Sequence, residues 1–166
     1  MSVPLPDAPR PAFEVRVQAE PFDIAAEIAD LCGSGETGAL VSFTGLCRAD
    51  PTDMSDGAPL TALVLEYYPG MAQEEIGRHL DEARRRWPLQ GARVIHRFGR
   101  IVPGEQIVLV VTACAHREAA FSAAAFLMDW LKTDAPFWKK EERGTQGDWV
   151  AAKDSDNIAT ARWMRP

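Results

Sequence analysis

The feature that most constrains the fold of this chain is the apolar segment QIVLVVTACA (106–115), which a largely apolar helical pattern follows. Its apolar residues occupy both alternating faces, so the segment predicts a strand that is covered on both sides and lies inside a sheet. The next segment, REAAFSAAAFLMDWLKTDA (117–135), predicts a helix with one narrow polar stripe, formed by Glu118, Ser122, Asp129 and Lys132. Together they predict a sheet with a helix buried against it.

Shorter segments extend this mixture of strands and helices. Further strands are predicted where β-branched and aromatic residues gather, at 13–18, 38–46, 61–68, 92–99, 136–142 and 148–153. Helices are predicted at 21–35, where Asp23 is a candidate N-cap, and at 69–91 and 154–163. The Pro-Gly in RIVPGE (100–105) predicts a turn between two strands.

The order β-α-β-β-α-β-β-α-β-β-α predicts an α+β sandwich, with helices packed on a mainly antiparallel sheet. No repeat or second domain is visible, so residues 13–166 are predicted to form a single domain. Residues 1–12, rich in proline and small side chains, predict a flexible tail. The acidic loop at 47–59, between two predicted strands, is expected to be mobile.

The composition excludes several function classes. A net charge of −6 gives no general reason to bind nucleic acid or an anionic membrane, so an anion site would need a local basic cluster. No apolar run reaches the roughly 20 residues that span a bilayer. The three cysteines are widely spaced and form no CxxC pair, which predicts reduced, buried thiols in a cytoplasmic protein. We expect neither a metal nor another cofactor, because no metal-ligand spacing is found.

All the lysines lie in one stretch of the chain, as Lys132, Lys139, Lys140 and Lys153. Unlike arginine, lysine loses its proton when it is desolvated or lies near another cation, so it can act as a base, nucleophile or cycling proton donor. Flanking aromatic residues predict a partly dry setting for two of these ammonium groups. Because neighbouring strand residues face opposite ways, at most one of Lys139 and Lys140 joins Lys132. Chance clustering of surface lysines is the alternative.

Three other polar residues follow predicted strands. Arg48 opens the acidic loop, and His116 and Arg117 precede the buried helix, whose N-terminus is a natural site for an anion. A solvated loop residue is the alternative for Arg48, and a capping or core histidine is the alternative for His116. His79 and His96 have no companions in the sequence and are expected to be structural or exposed.

A family resemblance is carried by the segments VSFTGLCR, LEYYPGM, DEARRRWPL, VIHRFGRIVPGE, AHREAAF, MDWLKTDAPFWKKE and DWV, in that order. They resemble the large, catalytic subunit of molybdopterin synthase, and the similarity runs from about Phe13 to Trp163. It implies an α/β hammerhead fold. It also implies a sulfurtransferase of molybdenum cofactor biosynthesis, which converts cyclic pyranopterin monophosphate into molybdopterin. The sulfur would come from the C-terminal Gly-Gly thiocarboxylate of a small ubiquitin-like subunit, at each end of a central homodimer, giving a heterotetramer.

The same resemblance implies roles for individual residues. The catalytic lysines of the family match Lys132 and Lys139, and its substrate-binding residues match Arg48, His116 and Arg117. Lys153 aligns with an arginine that the family supplies from the neighbouring subunit, so the positive charge is kept while the bidentate guanidinium is lost.

Two other functions fit the residues alone. A Schiff-base lyase would use Lys132 as an amine nucleophile, which borohydride trapping of a carbonyl substrate would reveal. A non-catalytic, anion-binding dimeric module would use the lysines only for phosphate, and would then keep its function in Lys132→Arg.

Overall fold

The structure is a computed structural model, and it describes residues 10–33, 35–49, 59–134, 136–143, 146–150 and 154–164. Its elements in chain order are β1 (Phe13–Gln18), α1 (Ile24–Leu31), β2 (Ala39–Leu46), β3 (Leu60–Tyr67), α2 (Met71–Arg86), β4 (Leu89–Arg97), β5 (Gly99–Ile101), β6 (Gln106–Cys114), α3 (Arg117–Thr133), β7 (Phe137–Arg143), β8 (Gln146–Val150) and α4 (Asp154–Ala161). The predicted α+β class is confirmed.

The first sheet has the strand order β1-β4-β6-β2, with β6 inside it as predicted. β1 runs parallel to β4, and the other two pairings are antiparallel. Val108 and Val110 of β6 pack in one core with α2 and α3, whereas Leu109 and Val111 pack in a second core with α1. This alternation explains why β6 is apolar on both faces: helices cover both sides of the sheet.

The second sheet has the order β5-β3-β7-β8, and its neighbouring strands are all antiparallel. The turn predicted from Pro-Gly is present at Gly104, whose φ of 92° suits glycine. Strand β5, which pairs with β3 just before that turn, was not predicted. Three residues are too few to show the alternation by which a strand is recognised.

Helix α3 is confirmed, but its exposed face is broader than the predicted polar stripe. Glu118 and Lys132 are exposed, but so is the apolar side chain of Phe121, at 62%. Asp129 is half-buried because it accepts hydrogen bonds from Arg162 and from the indole nitrogen of Trp163, the latter at 2.6 Å. Residues beyond the end of α4 therefore cover part of the stripe.

The start of the described chain is attached to the first sheet. Arg10 forms ion pairs with Glu27 and Asp30, and the carbonyl of Ala12 accepts a hydrogen bond from the Ala92 amide. Residues 1–9 lie outside the described residues, so the flexible tail over 1–12 stays a prediction. Residues 50–58 of the loop expected to be mobile lie outside them too. Within the described part of the chain, no helix is long and apolar enough to cross a membrane.

The three cysteine thiols are free. Cys47 and Cys114 are buried as predicted. The same prediction is wrong for Cys32, which is exposed because it occupies the C-cap position of α1 at the surface. Burial raises the pKa of both the Cys47 and the Cys114 thiol, which favours their protonated forms.

Candidate active site

Lys132 occupies the last turn of α3, where the helix dipole favours a cation. The helix closes at Asp134, whose amide donates to the carbonyl of Trp130 at 2.8 Å. The side chain of Lys132 is exposed, and Trp138 nearby in sequence is also exposed, at 57%. The expectation of a partly dry setting is therefore wrong for this chain by itself, since the aromatic residues do not close over the lysine.

Lys139 lies on β7, where it pairs in register with Leu65 of β3. Its ammonium group lies 3.2 Å from a carboxylate oxygen of Glu141, two residues along the same face. Burial favours the protonated carboxyl of Glu141, but hydrogen bonds from Arg143 and Lys139 hold its pKa below the ordinary value. Lys139 is thus held by a carboxylate that stays charged.

Lys140 faces the other side of β7, as predicted for adjacent strand residues. Its ammonium nitrogen lies 6.0 Å from the centre of the Trp149 ring, on β8. Its side chain crosses Gly147, where an added Cβ would approach the Lys140 Cε to 2.6 Å. Lys140 therefore packs across β8 and away from Lys139.

Arg48 follows β2, whose register with β6 shifts between Gly45 and Leu46. The preceding residue, Cys47, is held by two backbone hydrogen bonds, from its amide to Glu105 and from Gly104 to its carbonyl. Burial raises the pKa of Cys47, and the ammonium of Lys139 opposes that rise. Cys47 and Leu65, the register partner of Lys139, belong to one buried cluster, which puts Arg48 and Lys139 in one region of the molecule.

His116 and Arg117 are both exposed at the start of α3. His116 occupies the N-cap position, but its side chain makes no capping hydrogen bond. His116 is therefore neither a capping residue nor a core residue, the two alternatives considered from the sequence. A cavity of about 250 Å³ adjoins this position, lined by Trp87, His116, Glu118, Ala119 and Ser122.

The predicted site residues form two groups, one near each end of α3. Phe137, at the start of β7, stacks on His96 with ring centres 3.9 Å apart, and His96 pairs with Val108 near the beginning of β6. Arg48 lies at this end, because Leu46 pairs with Gln106 there. Lys139 follows Phe137 by two residues on β7, and Lys132 precedes Phe137 by five residues at the end of α3. His116 follows the far end of β6. Helix α3, 17 residues long, separates the two ends by about 25 Å.

Comparison with known proteins decides the family. The pattern of the MoaE protein family matches residues 17–134. The molybdopterin synthase catalytic subunit of Mesorhizobium japonicum is 60% identical over 152 residues, covering 90% of this chain and 92% of that protein. The chain belongs to the MoaE protein family.

Solved MoaE structures share the fold. The MoaE protein from Burkholderia ambifaria MC40-6 superposes with a TM-score of 0.75 at 41% identity, covering 92% of this chain and 98% of that one. Molybdopterin synthase from Staphylococcus aureus superposes with a TM-score of 0.73 at 26% identity, covering 82% and 96%. The resemblance found in the sequence motifs is thus confirmed over nearly the whole chain.

In this MoaE family member, the roles of Lys132, Lys139, Arg48, His116 and Arg117 stay predictions. The structure brings the first three to one end and the last two to the other. Lys153 lies outside the described residues. No single described surface of one chain gathers all the predicted groups.

One cluster of polar side chains was not predicted from the sequence. His79 was expected to have no companions, which is wrong: Glu75 lies one turn earlier on α2, and Asp134 approaches from the end of α3. The i,i+4 spacing of Glu75 and His79 was a signal available in the sequence. The approach of Asp134 was not, because it depends on how α2 packs against α3.

Proposed function

We propose that this chain is the catalytic subunit of a molybdopterin synthase. It would convert cyclic pyranopterin monophosphate into molybdopterin by accepting sulfur from the C-terminal thiocarboxylate of a small ubiquitin-like subunit. One observation carries the proposal: the 60% identity with a protein of that name extends over 90% of the chain. The segment from Met128 to Glu142, with two candidate catalytic lysines, lies inside this region of similarity.

The charges of the candidate residues suit the two reactants. The thiocarboxylate and the cyclic phosphate are both anions, while the protein carries a net charge of −6. A local group of cations, Lys132, Lys139 and Arg48, would offset their repulsion and stabilise charge that develops during reaction. Adding sulfur to the pterin side chain opens the cyclic phosphate and requires proton transfers, which lysine can perform and arginine cannot.

The active site in this proposal is completed across a homodimer. His116 and Arg117 lie about 25 Å from Lys132 along α3, too far to contact one small substrate together with it. A two-fold axis would bring the N-terminus of one α3 toward the C-terminus of the other, so each site would combine groups from both chains. Lys153 would also reach the partner's site, as the family arginine does.

The small subunit would occupy each end of the homodimer to give a heterotetramer. Its extended Gly-Gly tail would enter the pocket, because glycine lacks the side chains that a narrow channel excludes. We place this assembly in the cytoplasm. The free thiols of Cys32, Cys47 and Cys114 support a reducing compartment, in which cysteines stay unpaired.

Reconstitution tests the proposal directly. The purified chain, a thiocarboxylated small subunit and cyclic pyranopterin monophosphate should yield the dithiolene product. The same mixture with a small subunit that ends in an ordinary carboxylate is the matched control and should yield none. A folded chain that binds the thiocarboxylated subunit but forms no dithiolene would contradict the proposal. A reaction that borohydride traps on Lys132 would favour a lyase instead.

A further inference from the structure

Three side chains with metal-binding atoms meet where α2 crosses the end of α3. Glu75 and His79 are one helical turn apart on α2, and Asp134 is the C-cap residue of α3. The Nε2 atom of His79 lies 3.4 Å from Glu75 Oε1 and 3.7 Å from Asp134 Oδ2. One ligand atom from each residue lies within 4.8 Å of the other two. Neither Lys132 nor Lys139 belongs to this cluster.

These separations suit a shared ion better than hydrogen bonds. N–H···O hydrogen bonds in proteins span about 2.7–3.2 Å, and both separations from His79 Nε2 exceed that range. Ligand atoms held at about 2.0–2.1 Å from a tetrahedral Zn²⁺ lie roughly 3.3 Å from one another. Within the described part of the chain, His79 Nε2 is buried and has no hydrogen-bond partner.

The surroundings hold the imidazole ready for a ligand. The Trp130 ring stacks on His79 at 4.6 Å between centres and 15° between planes, which fixes the direction of Nε2. Arg78 forms an ion pair with Glu75 and so competes with a metal ion for that carboxylate. The Arg78 side chain is 67% exposed, so it can move into solvent when an ion binds.

We propose that Glu75, His79 and Asp134 form a binding site for a divalent transition-metal ion of the Zn²⁺ class. One nitrogen and two carboxylate oxygens provide three protein ligands, and water would take the fourth position. The bound ion joins α2 to the junction between α3 and β7, two residues after Lys132. Its role is to stabilise this junction, and it takes no part in sulfur transfer. The inference is independent of the proposed function.

Metal binding by the untagged chain tests the site. After treatment with a chelator, equilibrium dialysis against Zn²⁺ should give one tightly bound ion per chain, and Co²⁺ should give the strong visible absorption of a tetrahedral site. His79→Gln and Asp134→Asn should each weaken Zn²⁺ binding by at least about tenfold. Zn²⁺ should also raise the Tm of the wild-type chain and leave that of His79→Gln unchanged.

Two matched variants control for adventitious binding. Glu74→Gln removes an exposed carboxylate from the same turn of α2, and Cys32→Ser removes the exposed thiol. Both should bind Zn²⁺ like the wild type. Asp134→Asn alters a partly exposed side chain, so it tests the site even if His79→Gln fails to fold. Loss of binding in Cys32→Ser, equal binding in Asp134→Asn, or no tight binding by the wild type would each overturn the proposal.

Discussion

Lys132 and Lys139 have different surroundings although both are candidate catalytic residues. Lys139 is paired with Glu141 at 3.2 Å, while Lys132 is exposed at the end of α3. A proton donor or acceptor must change its charge during the reaction, so its charged partners matter. Binding of the second chain, the small subunit or the substrate is therefore expected to change the surroundings of both lysines.

Substitution of each lysine should separate their roles. Lys132→Ala should lower dithiolene formation by at least about a hundredfold, because a positioned acid–base group contributes that much or more. Lys132→Arg should fail as well, since arginine stays protonated. Lys139→Ala should lose much of the activity. Lys140→Ala is the matched control and should remain near wild type, because Lys140 packs toward Trp149 on the other face.

Single-turnover assays with the thiocarboxylated small subunit measure these effects. Circular dichroism and binding of the small subunit should show that each variant stays folded. Equal losses at positions 139 and 140 would show that the face of β7 has been assigned incorrectly. Full activity in Lys132→Arg would favour a module that only binds anions.

His96 makes the stability of the fold depend on pH. Burial lowers its pKa to about 4, from an ordinary value of 6.5. Below pH 6.5 the unfolded chain binds a proton that the folded chain does not, so stability falls as the pH drops toward 4. The complete loss amounts to about 3 kcal/mol.

Replacing His96 with glutamine should remove this pH dependence. In urea unfolding between pH 6.5 and 5, the free energy of unfolding of the wild type should fall more steeply than that of His96→Gln. Glutamine keeps a donor for the carbonyl of Arg97, which His96 contacts at 2.9 Å. A chelator keeps His79 free of metal, and Cys32→Ser should retain the wild-type slope. Parallel slopes for wild type and His96→Gln would contradict the prediction.

At the scale of secondary-structure elements, a charged cluster joins α1 to β1 and β4. Glu27 of α1 is 3% exposed and forms ion pairs with Arg10, Arg16 and Arg93. Arg93 is only 1% exposed. Buried charges of this kind depend on each other, since a charge left without its partner retains its full cost of desolvation.

Glu27→Gln should destabilise the fold by up to about 3 kcal/mol, because buried Arg93 then keeps only its ion pair with Glu14 among the described residues. Asp30→Asn removes a carboxylate that also pairs with Arg10, but near the surface, and should cost less than about 1 kcal/mol. Urea denaturation at pH 7 compares the two variants. A Glu27→Gln chain as stable as Asp30→Asn would show that the buried pairs contribute little.

At the scale of the whole molecule, the separation of the two groups of candidate residues requires a second chain. Lys132, Lys139 and Arg48 lie at one end of α3, and His116 and Arg117 lie at the other. The exposed side chain of Phe121 lies between these ends on α3. A dimer that covers this helix would bury an apolar surface and complete two sites at once.

A mixed dimer distinguishes a site shared between chains from a site within one chain. One chain carries Lys132→Ala and the other Arg117→Ala. If the site is shared, both changes fall in one site, the other stays intact and about half the activity survives. If each site lies within one chain, both sites are damaged and activity falls far below half. The two homodimeric variants are the controls, and light scattering should show twice the 18.3 kDa chain mass.

Much of the local structure was predictable from short stretches of sequence. Asp23 caps α1 as predicted, since its carboxylate accepts hydrogen bonds from the amides of Ala25 and Ala26. The apolar pattern of β6 predicted an interior strand, and the alternation along β7 placed Lys139 and Lys140 on opposite faces. Each of these features depends on neighbours a few residues away, so spacing and residue type carry the information. The motifs around Lys132 likewise indicated the family.

Only the tertiary structure decided which distant residues meet. The approach of Asp134 to His79, the burial of Glu27 beside Arg93 and the pairing of β5 with β3 all depend on strand order and helix packing. Local periodicity determines which face of an element is apolar, but the partner that covers it is chosen by the burial of all the elements together.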